Sequence, residues 1–182
     1  MSYKIIYCDG DSWTAGDILN PELEKQGEFF INHKDNDSYR LPKVWPHKLG
    51  KLANIDVINN SVAGSSNDGI VRRTLETIPK LLKENKPEDI LIVIGWSSPE
   101  RKDFFTEVDH EVGEDHIGKV AVWETLYPAE LHQKQLNSDL DTFYKIYLRR
   151  LWNIEEFSNR YIEQNLLLHN YLNNLNIKHY FF

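Results

Sequence analysis

Four short runs rich in apolar residues recur along the chain, and longer mixed segments separate them. The runs are residues 3–8, 55–61, 89–95 and 177–182. Each has the length and the apolar content of a β-strand. The run at 89–95, DILIVIG, is almost wholly apolar, which is typical of a parallel strand covered on both faces.

The segments between these runs carry helical spacing. Helices are predicted within residues 44–54, 70–85 and 138–176, the last as two helices in line. In the second of these, Ile70, Ile78 and Leu81 lie near one helical face, and Pro79 is predicted to kink or shorten the helix. Alternating strands and helices with right-handed crossovers predict an α/β fold, a three-layer α/β/α arrangement around a mostly parallel sheet.

Two segments lack this periodicity. Residues 17–43 are polar and irregular, and we expect a loop there. Residues 102–136 mix acidic, histidine and aromatic side chains, and this segment is too aromatic to be disordered. It is predicted to be an insertion or lid within a single domain spanning residues 1–182.

Charge and cysteine content exclude several function classes. The net charge is -7, which disfavours binding to nucleic acid and to anionic membranes. The chain has neither a signal peptide nor a run of roughly 20 apolar residues, so we expect a soluble, cytoplasmic protein. Cys8 is the single cysteine, which rules out an intrachain disulfide and a Cys-rich zinc site.

An acid-rich stretch raises the question of a metal site. His110 and His116 lie among several acidic residues in DHEVGEDH. Their spacing matches no strong metal-binding motif, and acid-rich loops are usually solvated. We therefore expect neither a bound metal nor another cofactor.

Three loops rich in small and polar residues follow the first three predicted strands. They are DGDSWTAG (9–16), NSVAGSSNDG (60–69) and GWSSPERKDFF (95–105). In parallel α/β sheets, ligands bind beyond the carboxyl ends of the strands, where these loops would converge. The sequence therefore predicts a functional site at this edge of the sheet.

The first two of these loops resemble blocks of the SGNH (GDSL-like) hydrolase family. GDSWTAG matches the Gly-Asp-Ser block, with Gly16 at the expected distance, and NNSVAGSSNDG matches the second block. The third block of the family is Gly-x-Asn-Asp, and here Ser97 stands in place of the asparagine. The fourth block, Asp-x-x-His, is absent from the chain, so the motifs cover roughly residues 3–101.

The resemblance implies a serine esterase or O-deacetylase that acts on an acylated carbohydrate or small molecule without a cofactor. Ser12 would attack the acyl carbon, and a histidine would accept its proton. The backbone N–H groups of Ser12 and Gly64, aided by Ser97, would bind the oxyanion. Asp11 and Asn67 would support the site, and the expected substrate-binding residues are Trp13, Trp96, Glu100 and Arg101.

Each of these residues also has a structural interpretation. Ser12 and Asp11 could simply form a turn, Trp96 could pack in the core, and Arg101 could form a surface ion pair. Because the chain ends in the apolar strand IKHYFF with no following loop or helix, we expect a truncated version of a longer protein, with a lost or relocated base as the alternative. A non-catalytic ligand-binding module on the same fold and a flavodoxin-like phosphate binder are the rival functions, although no P-loop is present.

Overall fold

The computed structural model describes residues 3–18, 20–25, 34–111, 117–126 and 138–182. Within these ranges the strands are β1 (Ile5–Asp9), β2 (Asp56–Asn59), β3 (Ile90–Ile94), β4 (Lys102–Glu111), β5 (Ile117–Leu126) and β6 (Lys178–Phe181). The helices are α1 (Ser12–Ala15), α2 (Pro21–Lys25), α3 (Lys34–Arg40), α4 (Trp45–Ala53), α5 (Asn67–Leu81), α6 (Ser138–Arg150) and α7 (Ile154–Asn174).

The four predicted strands form one parallel sheet. Its order is β2-β1-β3-β6, so β1 and β3 lie at the centre. Ile5 of β1 pairs with Asp56 on one side and with Ile90 on the other. Leu91 of β3 pairs with Lys178 of β6. The carboxyl ends of β1, β2 and β3 therefore meet at one edge, as predicted.

Alternating residues of the central strands pack against helices on opposite faces. Tyr7, Ile92 and Ile94 form a buried cluster with residues of α5 and α7. Ile6 and Cys8 form the cluster on the other face, where side chains of α4 pack against them. The three-layer α/β/α architecture is confirmed.

The structure corrects the prediction of a loop over residues 17–43. This segment contains α2, α3 and a 3-10 helix at Leu41–Lys43. Asn36 is fully buried in it: its side chain accepts a hydrogen bond from the Asn20 N–H at 2.8 Å and donates one to the Ile18 carbonyl at 2.9 Å. Polar tertiary contacts hold this segment, so apolar periodicity could not reveal it.

Pro79 does not interrupt α5. The helix continues to Leu81, two residues beyond the proline. Pro79 is exposed and lies in the last turn, where its missing N–H removes a single hydrogen bond.

The predicted insertion at 102–136 includes an antiparallel hairpin of β4 and β5, which forms a sheet of its own. Leu126 of β5 joins Tyr144 and Tyr147 of α6 in a separate buried cluster, with Phe104 packed against it. Residues 127–137 lie outside the described ranges, and a lid role for the segment stays a prediction.

No helix within the described ranges is both long enough and apolar enough to cross a bilayer.

Replacement of the core residue Ile92 should measure how much packing in the sheet core contributes to the free energy of unfolding. Ile92 is fully buried in β3, so Ile92→Ala is expected to lower the free energy of unfolding by about 2–5 kcal/mol. Leu52→Ala is the matched control, because Leu52 is 87% exposed and should change stability by less than about 0.5 kcal/mol. Urea denaturation followed by circular dichroism measures both. Equal effects of the two variants would contradict the assigned core.

Candidate functional site

The glycine of the Gly-Asp-Ser turn is required by close packing at the sheet edge. A Cβ on Gly10 would lie 2.2 Å from Thr14 Oγ1 and 2.7 Å from the Gly95 carbonyl oxygen. A Cβ on Gly95 would lie 2.7 Å from the same Thr14 hydroxyl. Thr14 of α1 thus packs between the ends of β1 and β3, which joins the first and third loops.

Ser12 is the first residue of α1, and its hydroxyl and its N–H are unpaired, whereas its carbonyl accepts from the Gly16 N–H at 2.8 Å. Asp11 caps this helix, since its Oδ1 accepts a hydrogen bond from the Trp13 N–H at 3.0 Å. The Ser12 side chain is half-buried. Among the residues that the structure describes, no group forms a hydrogen bond with the Ser12 hydroxyl or with its N–H. Both groups are therefore available to a ligand.

Asp9, which precedes this turn, forms an ion pair with Arg73 of α5. Arg73 Nη2 lies 2.6 Å from Asp9 Oδ1, and Arg73 Nε lies 3.3 Å from Asp9 Oδ2. The Tyr7 hydroxyl donates to Asp9 Oδ2 at 2.8 Å, and the Gly10 N–H donates to Asp9 Oδ1 at 2.7 Å. Four donors thus compensate the removal of this carboxylate from water.

Burial changes the pKa values around Asp9. Burial raises the pKa of the Asp9 carboxyl, and hydrogen bonds and charge from Arg73 oppose this rise. The pKa of the Tyr7 hydroxyl is raised by burial and by the nearby Asp9 charge. The same two causes raise the pKa of the Cys8 thiol to about 12.

Arg73 also anchors the second loop. Its Nη1 donates to Ser65 Oγ at 2.9 Å, and the Val62 N–H donates to the Gly10 carbonyl at 3.2 Å. Gly64, between these contacts, has a φ of 77°, and a Cβ on it would meet nothing within 4 Å. The glycine therefore serves the backbone conformation rather than close packing. The Gly64 N–H donates no hydrogen bond within the described part of the chain.

Ser97 belongs to a closed polar network. Its N–H donates to Asn67 Oδ1 at 2.7 Å, and Asn67 Nδ2 donates back to its carbonyl at 3.1 Å. The Ser97 hydroxyl donates to Asp11 Oδ2 at 3.2 Å and accepts from Arg101 Nη1 at 3.1 Å. The Arg101 guanidinium also contacts Asp11 at 3.4 Å.

This network gives structural roles to several residues predicted for the site. The Ser97 hydroxyl can donate one hydrogen bond, and it donates this bond to Asp11. The hydroxyl is therefore not free to replace the oxyanion-binding asparagine of the SGNH family. The amide of Asn67 holds the third loop, and Arg101 holds the first and third loops together. Direct contact of Ser97, Asn67 or Arg101 with substrate stays a prediction that this geometry does not support.

The two tryptophans predicted to bind substrate occupy different surroundings. Trp96 packs against the core, with edge-to-face contacts to Tyr161 at 6.0 Å and Phe181 at 5.5 Å between ring centres. Trp13 is 86% exposed. The structural interpretation therefore suits Trp96, and only Trp13 lies beside Ser12. Glu100 is half-buried in the third loop.

A cavity of about 520 Å³ adjoins Ser12. Its lining includes Ser12, Trp13, Ile18, Lys43, Trp45 and Lys48. We call it the Ser12 cavity. The sequence does not show that Lys43, Trp45 and Lys48 line this cavity, because their position depends on the fold of the preceding polar segment.

None of the described histidine side chains is hydrogen-bonded to Ser12 as a catalytic base would be. His47, His169 and His179 form no hydrogen bond with it, and His169 Nδ1 instead lies 2.8 Å from His179 Nε2. Three further histidines and one histidine side chain lie outside the described residues, namely His33, His116, His132 and the side chain of His110. Within the described ranges, no three residues with His, Cys, Asp or Glu side chains are grouped as metal ligands would be.

Comparison with known proteins places the chain in a family. The model of a family of unknown function, DUF6071, matches residues 29–182. The chain belongs to the DUF6071 family. The DUF6071 match includes Gly64 and Ser97 and begins after Ser12. No curated protein matches this DUF6071 chain.

Loss of the buried carboxylate should destabilise this DUF6071 protein. Asp9→Asn leaves the charge of Arg73, whose side chain is 19% exposed, without its partner, and we expect a loss of about 3 kcal/mol. Lys4→Ala is the control, since Lys4 is 69% exposed and its ion pair with Asp89 should contribute little. Urea denaturation measures both variants. An Asp9→Asn variant as stable as the control would contradict the role assigned to the ion pair.

Cys8 should be unreactive in the folded protein. Its side chain is fully buried and the pKa of its thiol is raised to about 12, so little thiolate forms at mildly alkaline pH. Ellman's reagent should therefore modify Cys8 at the rate of unfolding in buffer, and rapidly in concentrated urea. Rapid modification of protein with native circular dichroism would contradict this placement.

Proposed function

We propose that this protein is a serine hydrolase that cleaves esters, with Ser12 as its nucleophile. The observation that carries the proposal is the unpaired Ser12 hydroxyl, half-buried at the carboxyl edge of the sheet and adjoining a cavity of about 520 Å³. Nearby polar side chains in the first and third loops form hydrogen bonds with one another, whereas the Ser12 hydroxyl has no partner among the described residues.

Two backbone donors support the same proposal. The N–H groups of Ser12 and Gly64 are unpaired within the described ranges, and the Val62–Gly10 hydrogen bond brings their loops together. Fixed N–H donors are the groups that stabilise an oxyanion in acyl transfer. Ser12 and Gly64 are the two donors that the SGNH resemblance implies.

The reaction would proceed through an acyl-serine. Ser12 Oγ attacks the carbonyl carbon of the ester, and its proton passes to a base. The alcohol leaves with a proton from that base, and water then releases the acid and restores Ser12. The resemblance implies a histidine as the base, and the candidates are the histidines outside the described residues.

A non-catalytic ligand-binding module is the second candidate. One observation favours it: Ser97, Asn67 and Asp11 hold one another, which leaves Ser97 without a proton for an oxyanion. Such a module would keep the cavity and the loop geometry and would lack an activated serine.

Fluorophosphonate labelling distinguishes the two functions. An activated serine displaces fluoride from the probe and gains a stable phosphonyl group. We expect one adduct on the wild-type protein by intact mass and none on Ser12→Ala. Ser98→Ala is the matched control, because Ser98 is a half-buried serine of the third loop, and it should label like the wild type.

The opposite result is equally informative. Folded wild-type protein that gains no adduct, or a Ser12→Ala variant that still gains one, would overturn Ser12 as the nucleophile. The binding module would then be the function to pursue.

A further inference from the structure

We propose that the Ser12 cavity selects an ester that carries a negative charge beside an apolar group. This inference rests on the proposed function for the chemistry at Ser12. Its own basis is the charge and the aromatic content of the cavity lining.

Two cations face this cavity without a carboxylate partner. Neither Lys43 nor Lys48 forms an ion pair with any acidic side chain in the described part of the chain. Lys43 Nζ lies over the Tyr39 ring, 2.8 Å from its centre, so that the aromatic ring holds the ammonium group in place. Asp17 also lines the cavity, and it lies beyond ion-pair distance of both lysines.

The surroundings make this local positive charge informative. The chain as a whole carries a net charge of -7, which repels anions. Within the described ranges, the arginines that contact the first loop have carboxylate partners. Arg40 pairs with Asp37, Arg73 with Asp9 and Arg101 with Asp11. The lysines of the cavity therefore have charge left for an anionic ligand.

Aromatic side chains supply the apolar part of the site. Trp45 is held in position, since its Nε1 donates to Thr14 Oγ1 at 3.4 Å and its ring meets Phe182 edge-to-face at 5.2 Å. Trp13 is 86% exposed and is the large apolar side chain next to Ser12. A planar ligand would gain contact area with both rings, and its anionic group would meet Lys43 and Lys48.

Binding measured without catalysis tests this inference. In Ser12→Ala protein, which cannot form an acyl-serine, isothermal titration calorimetry compares 1-naphthyl phosphate with the neutral 1-naphthol. We expect the phosphate to bind and the naphthol to bind at least tenfold more weakly. Replacing both lysines, as Lys43→Gln with Lys48→Gln, should weaken phosphate binding about tenfold, and added salt should weaken it further.

Lys51→Gln is the matched control. Lys51 is exposed on α4, the helix that also carries Lys48, and does not line the Ser12 cavity. Its replacement should therefore leave the binding of 1-naphthyl phosphate unchanged. Circular dichroism shows that each variant is folded. Three results would overturn the inference: no binding of 1-naphthyl phosphate, binding of 1-naphthol as tight as that of the phosphate, or undiminished binding of 1-naphthyl phosphate by the double lysine variant.

The two proposals fail separately. An adduct on Ser12 without phosphate binding would leave the hydrolase and remove the anionic substrate class. Phosphate binding that depends on the lysines, without an adduct, would keep the anion-selective cavity and remove the hydrolase.

Discussion

The ion pair between Asp9 and Arg73 determines the geometry of the carboxyl edge of the sheet. Asp9 ends the central strand β1, and Arg73 lies in α5, so the pair fixes a helix against the strand that precedes the Ser12 turn. Arg73 also donates to Ser65, which joins the second loop to the same pair. Because burial of the Asp9 carboxylate is costly, we expect the pair to contribute positional specificity rather than a large net stability.

This anchoring distinguishes the residues that hold the loops together from the groups that we propose bind a ligand. Asp11, Ser97, Asn67 and Arg101 form hydrogen bonds with one another and hold the loops in place. The Ser12 hydroxyl and the N–H groups of Ser12 and Gly64 lie near these residues and have no partner within the described part of the chain. Unpaired polar groups in a rigid, well-paired surrounding are preorganised for a ligand, because no internal bond has to break before they bind it.

The sequence predicted the parts of this arrangement that depend on local pattern. The apolar runs located the sheet, and the Gly-Asp-Ser turn located Ser12. Arg73 was not identified, because helical periodicity shows which face is apolar and does not show which polar side chain reaches a strand end. Nor does the sequence indicate the cavity positions of Lys43 and Lys48, because these depend on the polar segment held by Asn36, whose contacts are tertiary.

The proposed hydrolysis depends on a proton acceptor for Ser12. Asp11 adjoins Ser12 in sequence, but its Oδ1 already accepts from the Trp13 N–H and its Oδ2 from Ser97 and Arg101. Asp11 therefore has a structural role in holding the loops together, and activation of the serine requires another group. Without that group, the unpaired N–H donors and the lysines of the cavity would still suit the oxygen of a permanent anion. An esterase needs the same donors for an oxygen that becomes negative only in the transition state. The hydrolase and the binding module thus share one oxygen site, and an activated Ser12 is what separates them.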